Sequence, residues 1–365
     1  MESNLQDLLI TPLNSWHKAH GAKMVPFAGW EMPVQYEGII AEHQQCRTRA
    51  CVFDICHMGE FSLFGPGAAL ALAKVVTQDI ETLAEGKCRY GFLLNPQGGV
   101  QDDLIVYRLG PDNFMLVVNG ACIESDFAWI QDHLPSGLNF TDISEKTAKI
   151  DLQGPKSLEV LSRLLPGDWT GLKYFSFTRT EFQDSGLIVS RTGYTGELGY
   201  EFYVPASLAQ ALWEKLVADP EVKPAGLGAR DTLRLEMGYP LYGQDLDTVH
   251  TPAEAGYAAM LTSKAEYLGK AQAMTVKESL VALAIEGRRS ARHLDKVALP
   301  DGTEVGMVTS GSFSPTLGHG LALAYVGVEH AKGQDFVIKA QRAELPAKRT
   351  ELPFYQGGTA RIKLS

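Results

Sequence analysis

Ser190-Arg191-Thr192-Gly193-Tyr194-Thr195-Gly196-Glu197-Leu198-Gly199-Tyr200-Glu201-Phe202 joins two runs of different character. Before it, the apolar run Leu187-Ile188-Val189 reads as a strand. After it, the alternation from Tyr200 to Val204 reads as a second strand. Gly193, Gly196 and Gly199 let the intervening backbone turn at φ > 0 or approach a ligand closely. Tyr194 adds a flat apolar face with a polar tip. A strand, a Gly/Tyr turn and a strand carrying Glu201 make a ligand platform in a β-rich protein. The plainer alternative is a Gly-rich hairpin around a packed tyrosine.

A chain of 365 residues exceeds one ordinary core, so two or three domains are expected. With 45% apolar and 21% charged residues it has the composition of a soluble globular protein. No apolar run approaches the roughly 20 residues that span a bilayer. Met1-Glu2-Ser3-Asn4-Leu5 lacks a basic, then apolar, leader pattern, so cytoplasm is the expected location. A net charge of -10 argues against nucleic acid as the main partner. Arg288, Arg289, Arg292, His293 and Lys296 form one local basic patch, either a solvated loop or an anion-binding surface. The 5 cysteines have no C-x-x-C spacing and read as free, mostly buried thiols. The histidines form no H-x-x-x-H set, so no structural metal is expected.

In chain order, residues 5–20 read as a short helix, and the prolines of 24–33 exclude a long one there. Residues 36–50 read as a helix, and 52–66 as strand, kink, strand around His57, a residue expected to be hydrogen-bonded and structural. Two strands, 90–95 and 100–107, flank the hairpin Pro96-Gln97-Gly98-Gly99. Asp102-Asp103 opens the second, and strand alternation should send the two carboxylates to opposite faces. Another strand, 114–119, ends in Asn119 and leads to a helix over 122–133, so residues 52–133 read as α+β. Gly65-Pro66 and Gly154-Pro155 share a setting of strand, Gly-Pro, helix, which hints at a duplicated unit. Helices follow at 207–218 and after Gly226-Leu227-Gly228, where Arg230 falls in the first turn against the helix dipole. That position suits either a ligand carboxylate or a structural ion pair. Residues 279–365 turn β-rich and suggest a small barrel or jelly-roll.

Taken together, these segments resemble the aminomethyltransferase (T-protein) family of the glycine cleavage system. The resemblance runs from Met24-Val25-Pro26-Phe27-Ala28-Gly29-Trp30 through Asp54-Ile55-Cys56-His57-Met58-Gly59 and Gly98-Gly99-Val100-Gln101-Asp102-Asp103-Leu104-Ile105-Val106. It continues through Gln153-Gly154-Pro155, the Gly/Tyr turn and Gly226-Leu227-Gly228-Ala229-Arg230-Asp231, and closes on Thr309-Ser310-Gly311-Ser312-Phe313-Ser314-Pro315-Thr316-Leu317. It implies an α+β fold of three domains in a clover-leaf around a folate channel, the last a β-barrel. The expected division is 1–51 with 140–278, then 52–139, then 279–365.

The resemblance implies methylene transfer from an aminomethyl group on the lipoyl arm of H-protein to tetrahydrofolate, with release of ammonia and without metal or flavin. It places the key acid on Asp103, and folate contacts on Tyr90, Asn119, Tyr194, Glu201, Arg230 and Met58. The types suit the task. A carboxylate such as Glu201 can accept both N–H groups of a pterin edge. Tyr90 and Tyr194 can cover flat rings, and Asp103 can take a proton or steady a developing iminium. The chain departs from the family pattern at Cys56, at Leu198 and at Tyr257-Ala258-Ala259, where a Trp is usual. A folate-dependent demethylase and a non-catalytic folate-binding protein are the alternative readings. Neither membrane nor nucleic acid is an expected partner.

Overall fold

The computed structural model describes residues 8–364. Three apolar cores organise them. The first lies on a six-stranded sheet with spatial order Phe177–Phe182, Ser185–Ser190, Gly199–Pro205, Thr147–Gln153, Ala50–Asp54, Val222–Pro224. The alternation of Thr147–Gln153 sends Ala148, Ile150 and Leu152 to one face, where Tyr200, Phe202 and Val204 join them. Helices Ser157–Leu164 and Ala209–Val217 close that face with Val160, Leu161, Leu212, Trp213 and Leu216. On the other face, Cys51 and Phe53 pack against Cys46 of helix Ile39–Thr48 and Ala229 and Leu233 of helix Leu227–Glu236.

The second sheet has five strands in the order Cys88–Leu94, Val100–Gly110, Asn113–Val118, Gly59–Phe64, Asn139–Asp142. The two Gly-Pro segments sit in equivalent places. Gly65 (φ 131°) and Gly154 (φ 135°) each turn the end of a strand into a helix. Three antiparallel strands then follow, and the last of them pairs with the strand before the Gly-Pro. The duplication hinted at by sequence is thus present as a shared topology, strand, Gly-Pro, helix, three strands, helix.

The third core fills a closed antiparallel barrel of six strands within Glu278–Thr350. Closure by pairing of Glu278–Ile285 with Ala343–Thr350 selects a barrel over a jelly-roll. The expected α+β class with a C-terminal barrel is therefore the observed one. Glu236, at the end of its helix, fastens the barrel by accepting from Ser314 and from the Thr316 N–H while holding Arg47 at 2.8 Å.

The helix expected over 5–20 is shorter. Leu9–Ile10 is a strand beside Trp30–Glu31, and the helix covers only Asn14–Ala19; residues 5–7 lie outside the described range. Pro12 disfavours helical backbone at Thr11, whose hydroxyl instead caps the Leu13 N–H and donates to Asp54 at 2.6 Å. The proline segment is a hairpin, Lys23–Phe27 with Trp30–Gln35, turned by Ala28 (φ 51°) and Gly29 (φ 82°). Positive φ at both turn residues is the geometry that matches strand twist.

Candidate functional site

The Gly/Tyr stretch is a hairpin whose strands pair Ser190 with Glu201. Its glycines make room for one side chain. A Cβ on Gly193 would lie 2.2 Å, and one on Gly199 2.0 Å, from the Gln153 amide. Gln153 donates to Asp151 at 2.6 Å and to the Thr192 carbonyl at 3.0 Å, and accepts from Thr195 at 2.7 Å. The close approach is thus to a neighbouring strand that carries polar groups.

Alternation explains those groups. Lys149, Asp151 and Gln153 share one face of their strand, and Asp151 pairs with Glu201, Lys149 with Tyr203. All five are buried. Glu201 accepts from Thr192 at 2.5 Å and sits 3.4 Å from Lys149. Lys149 also points at the Met58 sulfur, 3.4 Å away. Arg230, 13% exposed, reaches across from its helix to Asp151 at 2.7 Å. Its guanidinium lies 4.8 Å from the Tyr194 ring centre, so it serves an ion pair and a cation–π contact at once. Tyr194 donates to the Pro240 carbonyl and stacks near Tyr239. Lys149 and Asp151 were not singled out from sequence. The signal was there, as charges alternating with Ala148, Ile150 and Leu152 opposite the strand of Glu201.

Asp103 comes from the five-stranded sheet. As expected, alternation sends the two carboxylates of Asp102 and Asp103 to opposite faces. Asp102 lies with Leu104 and Val106 on the face packed by helix Ile123–His133, where it meets Asp126. Asp103 lies with Ile105 and Tyr107 on the other, while Asn119 bridges both from the end of the next strand. Asn119 donates from Nδ2 to Asp102 at 2.9 Å and to Asp103 at 2.8 Å, and its N–H donates to Asp102 at 3.0 Å. Leu93 faces Asp102 while Leu94 faces Val100, so Gln101 is left out as a bulge just before the pair, and the ladder runs in continuous register from Asp102 onward. Burial, then the neighbouring charge of Asp102, pushes the Asp103 carboxyl up to about 7, against the pull of Tyr90 and Asn119. Tyr90 has a buried hydroxyl without an ordinary hydrogen bond among the described residues, and its ring packs 6.1 Å from that of Tyr257. Tyr257 also packs on Phe92, so the segment that lacks the usual Trp still supplies an aromatic wall.

His57 differs from expectation. Its Nδ1 is buried without a partner among the described residues, and its ring meets Phe27 edge-on at 5.5 Å. Burial, with Arg230 and Lys149 nearby, lowers it to about 4, so it is neutral at ordinary pH. Its carbonyl lies where a Cβ on Gly120 would be, 2.3 Å away, which packs the kink onto the loop after Asn119. The five cysteines are free and buried, as expected.

A model of the GCVT N-terminal domain matches residues 13–265, and one of the glycine cleavage T-protein C-terminal barrel domain matches 279–356. The chain belongs to the glycine cleavage T-protein (aminomethyltransferase) family. An aminomethyltransferase of Synechococcus elongatus is 42% identical over 97% of this chain and 98% of its own length. One of Desulforamulus reducens is 41% identical over 96% and 99%. The crystal structure of the glycine cleavage system aminomethyltransferase T from Bartonella henselae superposes with a TM-score of 0.90 at 33% identity, covering 96% of this chain and 99% of that one. Within this family the fold is therefore the expected one. No helix among the described residues is long and apolar enough to cross a membrane.

Proposed function

We propose that the chain transfers the methylene carbon of an aminomethyl group, carried on the dihydrolipoyl arm of H-protein, to tetrahydrofolate. The carbon's bonds to nitrogen and sulfur break, two bonds to folate nitrogens form, and ammonia and the free thiol leave. The observation that carries this reading is Asp103, half-buried, anchored by Asn119 and poised near neutrality. A group with that balance can take a proton from the folate nitrogen and return one to the departing amine. Ionised, it also steadies the cationic iminium through which the carbon passes.

The other residues fit binding. Glu201 spends part of its acceptor capacity on Thr192 and Lys149, which leaves lone pairs for the N–H edge of a pterin. Among the described residues only Nη1 of Arg230 donates, so its other nitrogens can meet a carbonyl or the glutamyl tail. Tyr90, Tyr194 and Tyr257 offer ring faces, and Met58 packs under Lys149. On this reading the chain divides into a folate-binding body, the Asp103 body and the barrel (279–365), in the cytoplasm. The expected cuts at 51/52 and 139/140 move to 54/55 and 142/143, because Ala50–Asp54 lies in the six-stranded sheet and Asn139–Asp142 in the five-stranded one. Arg288, Arg289, Arg292, His293 and Lys296 are all exposed and form the docking surface for an acidic carrier.

The test is methylene-tetrahydrofolate formation from tetrahydrofolate and aminomethyl-loaded H-protein, with wild type beside Asp103→Asn. Turnover in the wild type and its loss in the variant, with folate still bound, support the proposal. Folate binding without turnover by the wild type overturns it in favour of a demethylase acting on a small methylated donor.

A further inference from the structure

Next to Asp103 lies a second set of titratable groups. Asp102, Cys122 and Asp126 each bring one side-chain atom within 4.8 Å of the others, and all three are buried. Asp126 projects from the first turn of helix Ile123–His133 and is 0% exposed. Neither of its oxygens has a donor among the described residues. Asp102 is placed oppositely, with both oxygens taken by Asn119.

The charged and titratable groups facing Asp126 are Asp102 and Asp103 from the strand Val100–Gly110, Cys122 from the turn before its own helix, and Tyr242 from the segment after helix Leu227–Glu236. None is a cation. An ionised Asp126 would be a bare charge beside another carboxylate, and the helix N-terminus compensates only weakly for such burial. A protonated Asp126 removes the conflict and becomes the donor that its neighbour can use.

We propose that Asp126 holds a proton and shares it with Asp102, and that this carboxyl pair fixes Asn119 and, through it, Asp103. Burial, then the Asp102 charge, raises the Asp126 carboxyl to about 11, in keeping with this geometry. Asp126 is a positioning residue that touches no substrate. Its effect on turnover rests on the role proposed for Asp103, while its protonation does not.

The measurement is infrared spectroscopy of the full chain without ligand. Wild type should show a protonated carboxyl band that persists from mildly acid to mildly alkaline pH and is lost in Asp126→Asn. In the pH profile of turnover, Asp126→Asn should keep the acid-side midpoint of the wild type, because one neutral donor replaces another. Asp126→Leu, which has no donor, should move that midpoint by several-fold in proton concentration. Absence of the band, or a midpoint displaced tenfold or more toward acid in Asp126→Asn, shows an ionised Asp126 and overturns the proposal. So does stoichiometric zinc uptake that requires Asp126. Should Asp126→Asn not fold, the carboxyl carbon resonances of wild type grown on labelled aspartate decide it: one buried signal must stay in the protonated range throughout. A persisting band with a pH profile unrelated to Asp103 would sink the assignment of Asp103 alone.

Discussion

Arg230 and Asp151 meet at 2.7 Å, with the aspartate side chain wholly buried and the arginine 13% exposed. The pair therefore sits between the interior of the six-stranded sheet and the region where folate is proposed to bind. Removing one partner is not symmetrical. Arg230→Ala strands a carboxylate that burial already pushes up, and should cost about 3–5 kcal/mol of stability at neutral pH. Asp151→Asn leaves a cation with access to solvent and should cost less. Because the stranded Asp151 would have a folded-state value above its unfolded one, Arg230→Ala should regain stability as pH falls through that raised value. Urea titrations of both variants at neutral and mildly acid pH check the order and the sign.

On the proposed function, Asp103 should set the pH dependence of turnover. Its carboxyl is raised from 3.8 to about 7, so ionisation costs stability as pH climbs through that window, while the base needed for catalysis appears over the same range. Turnover should rise with an acid-side midpoint near that value. Asn119→Ala removes a donor to the ionised form and should move the midpoint upward. Asp103→Asn should lose roughly 10²–10⁴-fold in kcat and show no such limb. Steady-state rates across pH with saturating folate report all three.

Gly199 and Gln153 should be coupled energetically. A methyl group at 199 would fall 2.0 Å from the Gln153 amide, so Gly199→Ala should destabilise by about 1–3 kcal/mol. Gln153→Ala opens the space but forfeits its bonds to Asp151, Thr192 and Thr195. The double variant should be more stable than the sum of the two changes implies, by about 0.5–3 kcal/mol. A double-mutant cycle in urea measures it, and simple additivity would show that the loop yields instead.

The exposed arginines of the barrel give a prediction about association. Reversing charge at Arg289 and Arg292 should slow binding of H-protein severalfold at low ionic strength, with the difference fading as salt is added. Arg288 is a poorer choice, since its guanidinium packs 5.0 Å from the Phe313 ring centre. Unchanged association at low salt would remove this face from consideration.

The fold class and the barrel were legible because Gly, Pro and apolar runs mark strand ends by local chemistry alone. Asp103 and Asn119 were singled out through the family resemblance; local chemistry marked them only as residues where a strand begins or ends. Lys149 and Asp151 escaped notice because an alternating strand normally turns its charges to water. Only the tertiary structure reveals that helix Leu227–Glu236 brings Arg230 over that face. The bridge that Asn119 makes between Asp102 and Asp103 was likewise hidden, since it joins residues of two different strands. The over-long helix at 5–20 overlooked a Thr-Pro step that ends helical backbone.

The paired topology bears on the order in which the chain can be completed during synthesis. The five-stranded sheet is assembled entirely from strands between Gly59 and Asp142, and so is available as soon as that length has emerged. The six-stranded sheet is not, because Ala50–Asp54 precedes all of that and waits for Thr147–Gln153 and then Val222–Pro224 on either side. We therefore expect nascent chains halted just before Thr147 to resist protease across 59–142 while being cut near 50–54. Equal protection of both stretches would refute this order. Every residue of Ala50–Asp54 is buried in the finished molecule, so this early strand is the segment for which a chaperone has the longest wait.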